Sequence, residues 1–369
     1  RPKDVSCDGI EQRSNEAKEL MMRRRFSLSR VALAGAALTM VLGISLGPAG
    51  AQDATPAGGM SVEEIAAVTA GEEYKLLAVV KTLSNEYWQT MERGYNEAAA
   101  EKGVTIDVLS VPTEQDTEQQ LNQLQTALAQ DYDAIMVSPI TPTNLIPALL
   151  AASEAGIPII NVDEKVDPAA AEEAGVALTT VIASDNRDAG ARAAQYMIDT
   201  IPDGGQVAII EGKAGNQSGL DRKEGFEEAI LAAGTFEIVA SQPADWDGQR
   251  ALDVATNILQ ANPDIVGFYA ANDTMALGVV EAVRAAGKLD QITIIGTDAI
   301  PAALTAVEAG DLEGTVAQFP AEEARIATSL AILALQGSPV DGFIPSPIEL
   351  ITSENVGEML APAEATPAA

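Results

Sequence analysis

Ile265–Gly278, Ile-Val-Gly-Phe-Tyr-Ala-Ala-Asn-Asp-Thr-Met-Ala-Leu-Gly, changes character twice. It opens as a short apolar run of the kind that forms a parallel strand buried on both faces. It turns polar at Asn272-Asp273-Thr274, and apolar residues then return at helical spacing through Val279, Val280 and Val283. Asn272 therefore falls just past the carboxyl end of a strand and opens a helix. Ligands of open α/β sheets bind along that rim. A lone asparagine there more often caps its helix than touches a ligand. What gives Asn272 weight is the recurrence of the same pattern along the chain.

Upstream, alternation predicts strands at Leu76–Val80, Val104–Leu109, Ala134–Val137, Ile159–Val162 and Val181-Ile182, with helices from about Trp88 to Lys102, over Thr117–Gln130 and over Leu145–Ala155 between the first four. The pattern then restarts, with strands at Gln206–Ile210, Glu237–Ala240, Ile265–Tyr269, Ile292–Ile295 and Gly314–Gln318 and a last one near Ile348–Ile351. Strands alternating with helices imply parallel, doubly wound (Rossmann-like) sheets. Two such α/β halves are expected, with a cleft between them.

The chain has 369 residues, enough for two domains, and a hydrophobic content of 47% can fill two cores. Of its 22 basic and 54 acidic residues, 8 and 5 lie in Arg1–Ala51, which leaves 14 and 49 and a net charge of −35 for the remainder. Such a surface repels nucleic acid and anionic membrane. There is no histidine, and the single cysteine is Cys7. That removes Ser-His-Asp and Cys-His catalysis and the commonest metal ligand. No cofactor or metal is expected, and an enzyme would have to work with Asp, Glu, Lys, Tyr or Ser alone.

Arg23-Arg24-Arg25 precedes the apolar run Val31–Leu46, and Ala49-Gly50-Ala51 follows it. This order predicts a signal peptide cleaved after Ala51, with Met21 or Met22 as the natural start. Arg23-Arg24-Arg25-Phe26 also loosely resembles a twin-arginine signal. No cysteine follows the run to carry a lipid anchor. The expected location is periplasmic or otherwise extracytoplasmic. Residues 52–72 read as a linker, with Pro/Ala/Gly composition over Gln52–Gly59, and 358–369 as a tail.

Directly after the strands stand Lys81 and Asn85, Asp163 and Glu164, Asn272, and Asp298, with Gln318 at the junction back to the first half. Their carboxylates, carboxamides and ammonium each make two or more directed hydrogen bonds, which suits a sugar hydroxyl that both donates and accepts. Singly, each is more often a cap or turn residue. Aromatics are only 4% of the chain, yet both tryptophans fall beside such rims: Trp88 after Tyr87, and Trp246 in the loop Pro243–Gly248. Flat amphipathic rings suit the C–H faces of a pyranose or furanose. The Gly-rich loop Gly212–Gly219 lacks both phosphate-binding patterns and reads as structural.

From Tyr74 to about Ile351 the chain resembles the periplasmic ribose-binding protein and its sugar-binding relatives, the solute receptors of ABC importers. The matching stretches include Val80–Asn85, Ile182–Asn186, Arg222–Phe226, Ala240–Trp246, Asn272–Gly278 and Ala317-Gln318. The resemblance implies a periplasmic binding protein type 1 fold, two lobes joined by a three-segment hinge: 73–184 plus 319–345, and 185–318 plus 346–357. It places Asn85, Tyr87, Trp88, Asp163, Arg222, Trp246, Asn272, Asp298 and Gln318 on the ligand. Tyr87, Trp88 and Trp246 stand where ribose-type members usually carry phenylalanine. Lys81 replaces a serine and Glu164 an arginine, both at ligand positions. Opposite charge changes at one rim predict that Lys81 and Glu164 are paired, directly or through one ligand hydroxyl, because either charge buried alone would be costly. The alternative is that both face solvent.

The expected function is capture of a monosaccharide in the cleft and delivery to the membrane permease of an ABC importer, without catalysis. A polyol or furanose signal molecule is the alternative ligand. A chemoreceptor is a further candidate partner, a monomer is expected, and nucleic acid is not. A sugar-sensing repressor of the same fold would need an N-terminal helix-turn-helix and a basic face. A nucleotide-sugar enzyme is disfavoured by the absent phosphate loops and histidine.

Overall fold

Lys75–Thr82 (β1) carries five apolar residues in succession, Leu76 to Val80, and all five are buried. A strand of that composition is stable only with both faces covered, which is its position here. In the computed structural model, which describes Met60–Val340 and Gly342–Leu360, β1 sits inside a six-stranded sheet. Its companions are Thr105–Val111 (β2), Ala134–Val137 (β3), Ile159–Val162 (β4), Thr180–Ser184 (β5) and, from far downstream, Phe343–Ser346 (β11). The order is β11-β5-β4-β3-β1-β2 and every pairing is parallel.

The second sheet contains Gly205–Glu211 (β6), Phe236–Pro243 (β7), Ile265–Ala270 (β8), Thr293–Asp298 (β9), Gly314–Ala317 (β10) and Glu349–Thr352 (β12). Its order is β12-β10-β9-β8-β6-β7, parallel except for the antiparallel β10/β12 pair. The chain passes between the sheets three times: after β5, after β10, and between β11 and β12. Both orders reverse next to their first strand, which opens a crevice at the carboxyl ends.

Helices cover the sheets. Around the first lie Val62–Ala66 (α1), Glu86–Lys102 (α2), Thr117–Ala127 (α3), Ile146–Glu154 (α4) and Pro168–Ala174 (α5). The second half contributes Asn186–Thr200 (α6), Gln217–Ala232 (α7), Gly248–Ala261 (α8), Asp273–Ala285 (α9) and Pro301–Ala309 (α10). Pro320–Leu335 (α11) returns to pack on α2, and Val356–Leu360 (α12) ends the described chain. The close α6–α7 crossing depends on Gly190, where a Cβ would fall 1.9 Å from the Arg222 carbonyl oxygen.

Three features depart from the expected organisation. Part of the expected linker is helical: Ser61 and Glu64 form a capping box for α1, and Ile65 is buried. The Lys102 ammonium at the end of α2 donates to the carbonyls of Ala66 and Val68 at 2.7 and 3.1 Å, tying this segment down. Strand β11 was not anticipated, because its sequence, Phe-Ile-Pro-Ser, carries a proline and lies at a sheet edge. Helix α12 continues to Leu360, into the expected tail. The signal peptide, its cleavage after Ala51, Cys7, the stretch 52–59 and the residues after Leu360 lie outside the described residues.

Candidate functional site

Asn85 caps α2, accepting from the Tyr87 amide at 2.9 Å, and Asn272 caps α9, accepting from the Met275 amide at 3.0 Å. The commonplace role is therefore real. Both residues nevertheless also border the same cavity, because a cap at a strand's carboxyl end sits on the rim. Other rim residues take unusual backbone conformations: φ is 59° at Asp163, 64° at Trp246 and 126° at Asp298. Such angles are disfavoured for side chains with a Cβ and gather at functional sites.

The eleven residues expected at the site all line one small cavity of about 30 Å³ between the two sheets. Lys81, Asn85, Tyr87, Trp88, Asp163 and Glu164 come from the first half; Arg222, Trp246, Asn272 and Asp298 come from the second, and Gln318 from the β10–α11 crossing. The structure adds Glu114, from the loop after β2, and Ser218, from the first turn of α7. Apart from Asn85, Glu114 and Trp246, every lining residue is buried.

Lys81 and Glu164 are directly paired, Nζ to Oε1 at 2.8 Å, and both are buried. Glu114 Oε2 stands 3.4 Å from the same ammonium. Burial alone would depress the lysine's pKa, but Glu114 and Glu164 outweigh it and hold the ammonium above its ordinary range. Burial would likewise raise Glu164, yet Lys81 and the Ser218 hydroxyl keep it below the usual carboxylate value. Ser218 donates to Glu164 Oε1 at 2.7 Å, so this cluster bridges the two halves. The Lys213 ammonium, donating to the Glu114 carbonyl, and the Lys165–Asp221 pair at 3.9 Å are further bridges.

On the other wall, Arg222 is held by Asn186 Oδ1 at 2.7 Å and the Ala271 carbonyl at 2.8 Å, and its guanidinium lies 3.5 Å from Asp298. Its carbon is 5.9 Å from the Trp246 ring centroid. Gln318 donates to Asp298 Oδ1 at 2.6 Å. Tyr87 donates to Asp163 Oδ1 at 2.9 Å and meets Trp88 edge-on, with centroids 5.1 Å apart. Burial pushes Asp163 up to about 6, helped by the charge of Glu164, and pushes Asp298 up to about 7 against the pull of Arg222. Gln318 Oε1 and Trp246 Nε1 are buried without a hydrogen-bond partner among the described residues.

The Gly-rich loop has a steric task. A Cβ on Gly212 would fall 2.1 Å from Cη2 of Trp246, and one on Gly219 would fall 3.0 Å from the same atom. The loop thus makes room for the indole. Glu114 was legible by the rule that found the others, since it follows a strand. Ser218 lies inside the Gly-rich loop, whose sequence reads as structural. Among the described residues no group of three or more His, Cys, Asp or Glu is arranged to hold a metal ion.

A cavity between two doubly wound lobes, walled by directional polar groups and indoles, defines a solute receptor. The chain belongs to the periplasmic binding protein domain family, which it matches over residues 77–339. It is similar to the D-allose-binding periplasmic protein of Escherichia coli, with 44% identity over 254 residues that cover 69% of this chain and 81% of that one. A D-ribose/D-allose-binding protein of Pseudomonas aeruginosa is 31% identical over 288 residues, 76% of this chain and 90% of the relative. A solved periplasmic solute-binding protein of an ABC transporter from Actinobacillus succinogenes, with bound D-allose, is 36% identical. It superposes with a TM-score of 0.74 over 77% of this chain and 99% of its own.

Proposed function

We propose that this protein captures a monosaccharide of the D-allose kind between lobes 73–184 plus 319–345 and 185–318 plus 346–357, and delivers it to the permease of an ABC importer. The observation that carries this reading is the composition of the cavity wall. Both lobes present hydrogen-bonding side chains, from Lys81, Asn85, Asp163 and Glu164 on one side and Arg222, Asn272 and Asp298 on the other, with Trp88 and Trp246 flanking them. A hydroxyl-rich ring with apolar faces satisfies both kinds of surface. The relatives named for D-allose support that sugar over ribose. So does the Lys81–Glu164 pair, which occupies positions where the ribose type carries serine and arginine.

On this reading the protein works outside the cytoplasmic membrane as a monomer without catalysis, and the permease, with a chemoreceptor as a second candidate, reads its closed form. Isothermal titration with D-allose, D-ribose and myo-inositol tests it. D-Allose should bind most tightly, and its deoxy analogues roughly tenfold or more weakly, because each leaves a buried polar group unpaired. Absence of heat with all three compounds would overturn the reading.

A further inference from the structure

Glu323, on the first turn of α11, does not line the cavity, yet it is fully buried. Its Oε1 has no hydrogen-bond partner, and no cation lies within ion-pair distance of it, among the described residues. Its Oε2 stands 3.4 Å from the phenol oxygen of Tyr87. That same phenol lies 2.9 Å from Asp163 Oδ1, which does line the cavity. The ionisable groups turned toward Glu323 are Tyr87 and Tyr95 from α2, Asp163 from the rim of β4 and, farther off, Arg222 from α7. Of these, only the distant Arg222 is cationic.

A buried carboxylate without a paired cation is expensive, and the less costly state is the neutral acid. A neutral acid at Glu323 needs an acceptor, and the Tyr87 oxygen is in reach. A phenol has one proton. If Glu323 donates to its oxygen, that proton has one partner left, Asp163.

We propose that Glu323 is a positioning residue of the ligand site: it donates to Tyr87, which commits the Tyr87 proton to Asp163 and leaves the rest of that carboxylate to accept ligand hydroxyls. The chain of donors runs from helix α11 through α2 to the cavity wall. Burial and the charge of Asp163 raise the Glu323 carboxyl well above its usual range, in keeping with this geometry. The inference rests on the monosaccharide reading of the cavity, so its test has one readout that needs no sugar.

That readout is infrared difference spectroscopy of sugar-free wild type against E323Q at neutral pH. The difference spectrum should carry a protonated carboxylic-acid carbonyl band that wild type has and E323Q lacks, over the bands that other raised carboxyls such as Asp298 and Glu313 give in both. The second readout is D-allose affinity. E323Q, which keeps a donor, should lose no more than about threefold, while E323A and Y87F should each lose about tenfold. The double variant E323A/Y87F should bind no more weakly than Y87F, because both substitutions break one chain. A missing acid band, E323Q as weak as E323A, or additive losses in the double variant would each overturn the proposal. If wild type binds no sugar, the cavity reading fails, and the infrared band still decides the state of Glu323.

Discussion

At the scale of single residues, the account turns on Lys81. Its ammonium is buried between two carboxylates, Glu164 at 2.8 Å and Glu114 at 3.4 Å. Removing one partner of a buried pair leaves uncompensated charge and costs about 3–5 kcal/mol. Lys81→Met should therefore lower unfolding stability by that order in denaturant titration, and should also abolish sugar binding. Unchanged stability would mean that Glu164 and Glu114 find other partners. Lys81→Ser combined with Glu164→Arg should move preference toward ribose, while each single change should weaken binding of every sugar tested. The pair was legible in the sequence, because compensating charge changes at two rim positions imply contact. Glu323 was harder to see. It follows Glu322 and looks like part of a solvated face, yet Ile326, Ala327 and Leu330 share its side of α11 at helical spacing, and that side is buried.

At the scale of elements, the strand–helix alternation marks every strand of the two sheets except β11, since apolar runs bounded by polar turns have few other solutions. What escaped were the short pieces: α1, α5 and β11 span 5, 7 and 4 residues, too short to show a hydrophobic period, although cap signals stand at Ser61 and Glu64 for α1 and at Asp167 and Gly175 for α5. The Gly212–Gly219 loop reads as structural in the sequence; the coordinates show that it also makes room for the Trp246 indole and brings Ser218 to the cavity. Gly212→Ala places a methyl group against the Trp246 indole, 2.1 Å from Cη2, in a backbone conformation that alanine tolerates. The ring must shift, so tryptophan emission should change and D-allose affinity should fall about tenfold with the fold intact. Wild-type affinity in this variant would show that the indole does not pack on the sugar.

At the scale of the whole molecule, charge sets the response to pH. Asp163, Asp298 and Glu313 are raised from 3.8, 3.8 and 4.5 to about 6, 7 and 7. A carboxyl raised on folding binds its proton more tightly in the native state, so its contribution to stability is present below the unfolded pKa and is lost as pH rises through the folded one. Self-repulsion of a chain with formal net charge −32 acts in the same direction. Scanning calorimetry of the sugar-free protein should therefore give a higher Tm near about pH 5 than near about pH 8; a Tm that falls on acidification across that range would contradict this. The bridges from Ser218, Lys213 and Asp221 join the halves only when the lobes are together. Closure of two lobes around a ligand is a recognised motion of such receptors. The central claim, that a monosaccharide is captured between the lobes, is tested most directly by small-angle X-ray scattering with and without saturating D-allose. The account predicts a smaller radius of gyration with the sugar and no change with a compound that gives no binding heat. An unchanged radius at saturation would contradict it.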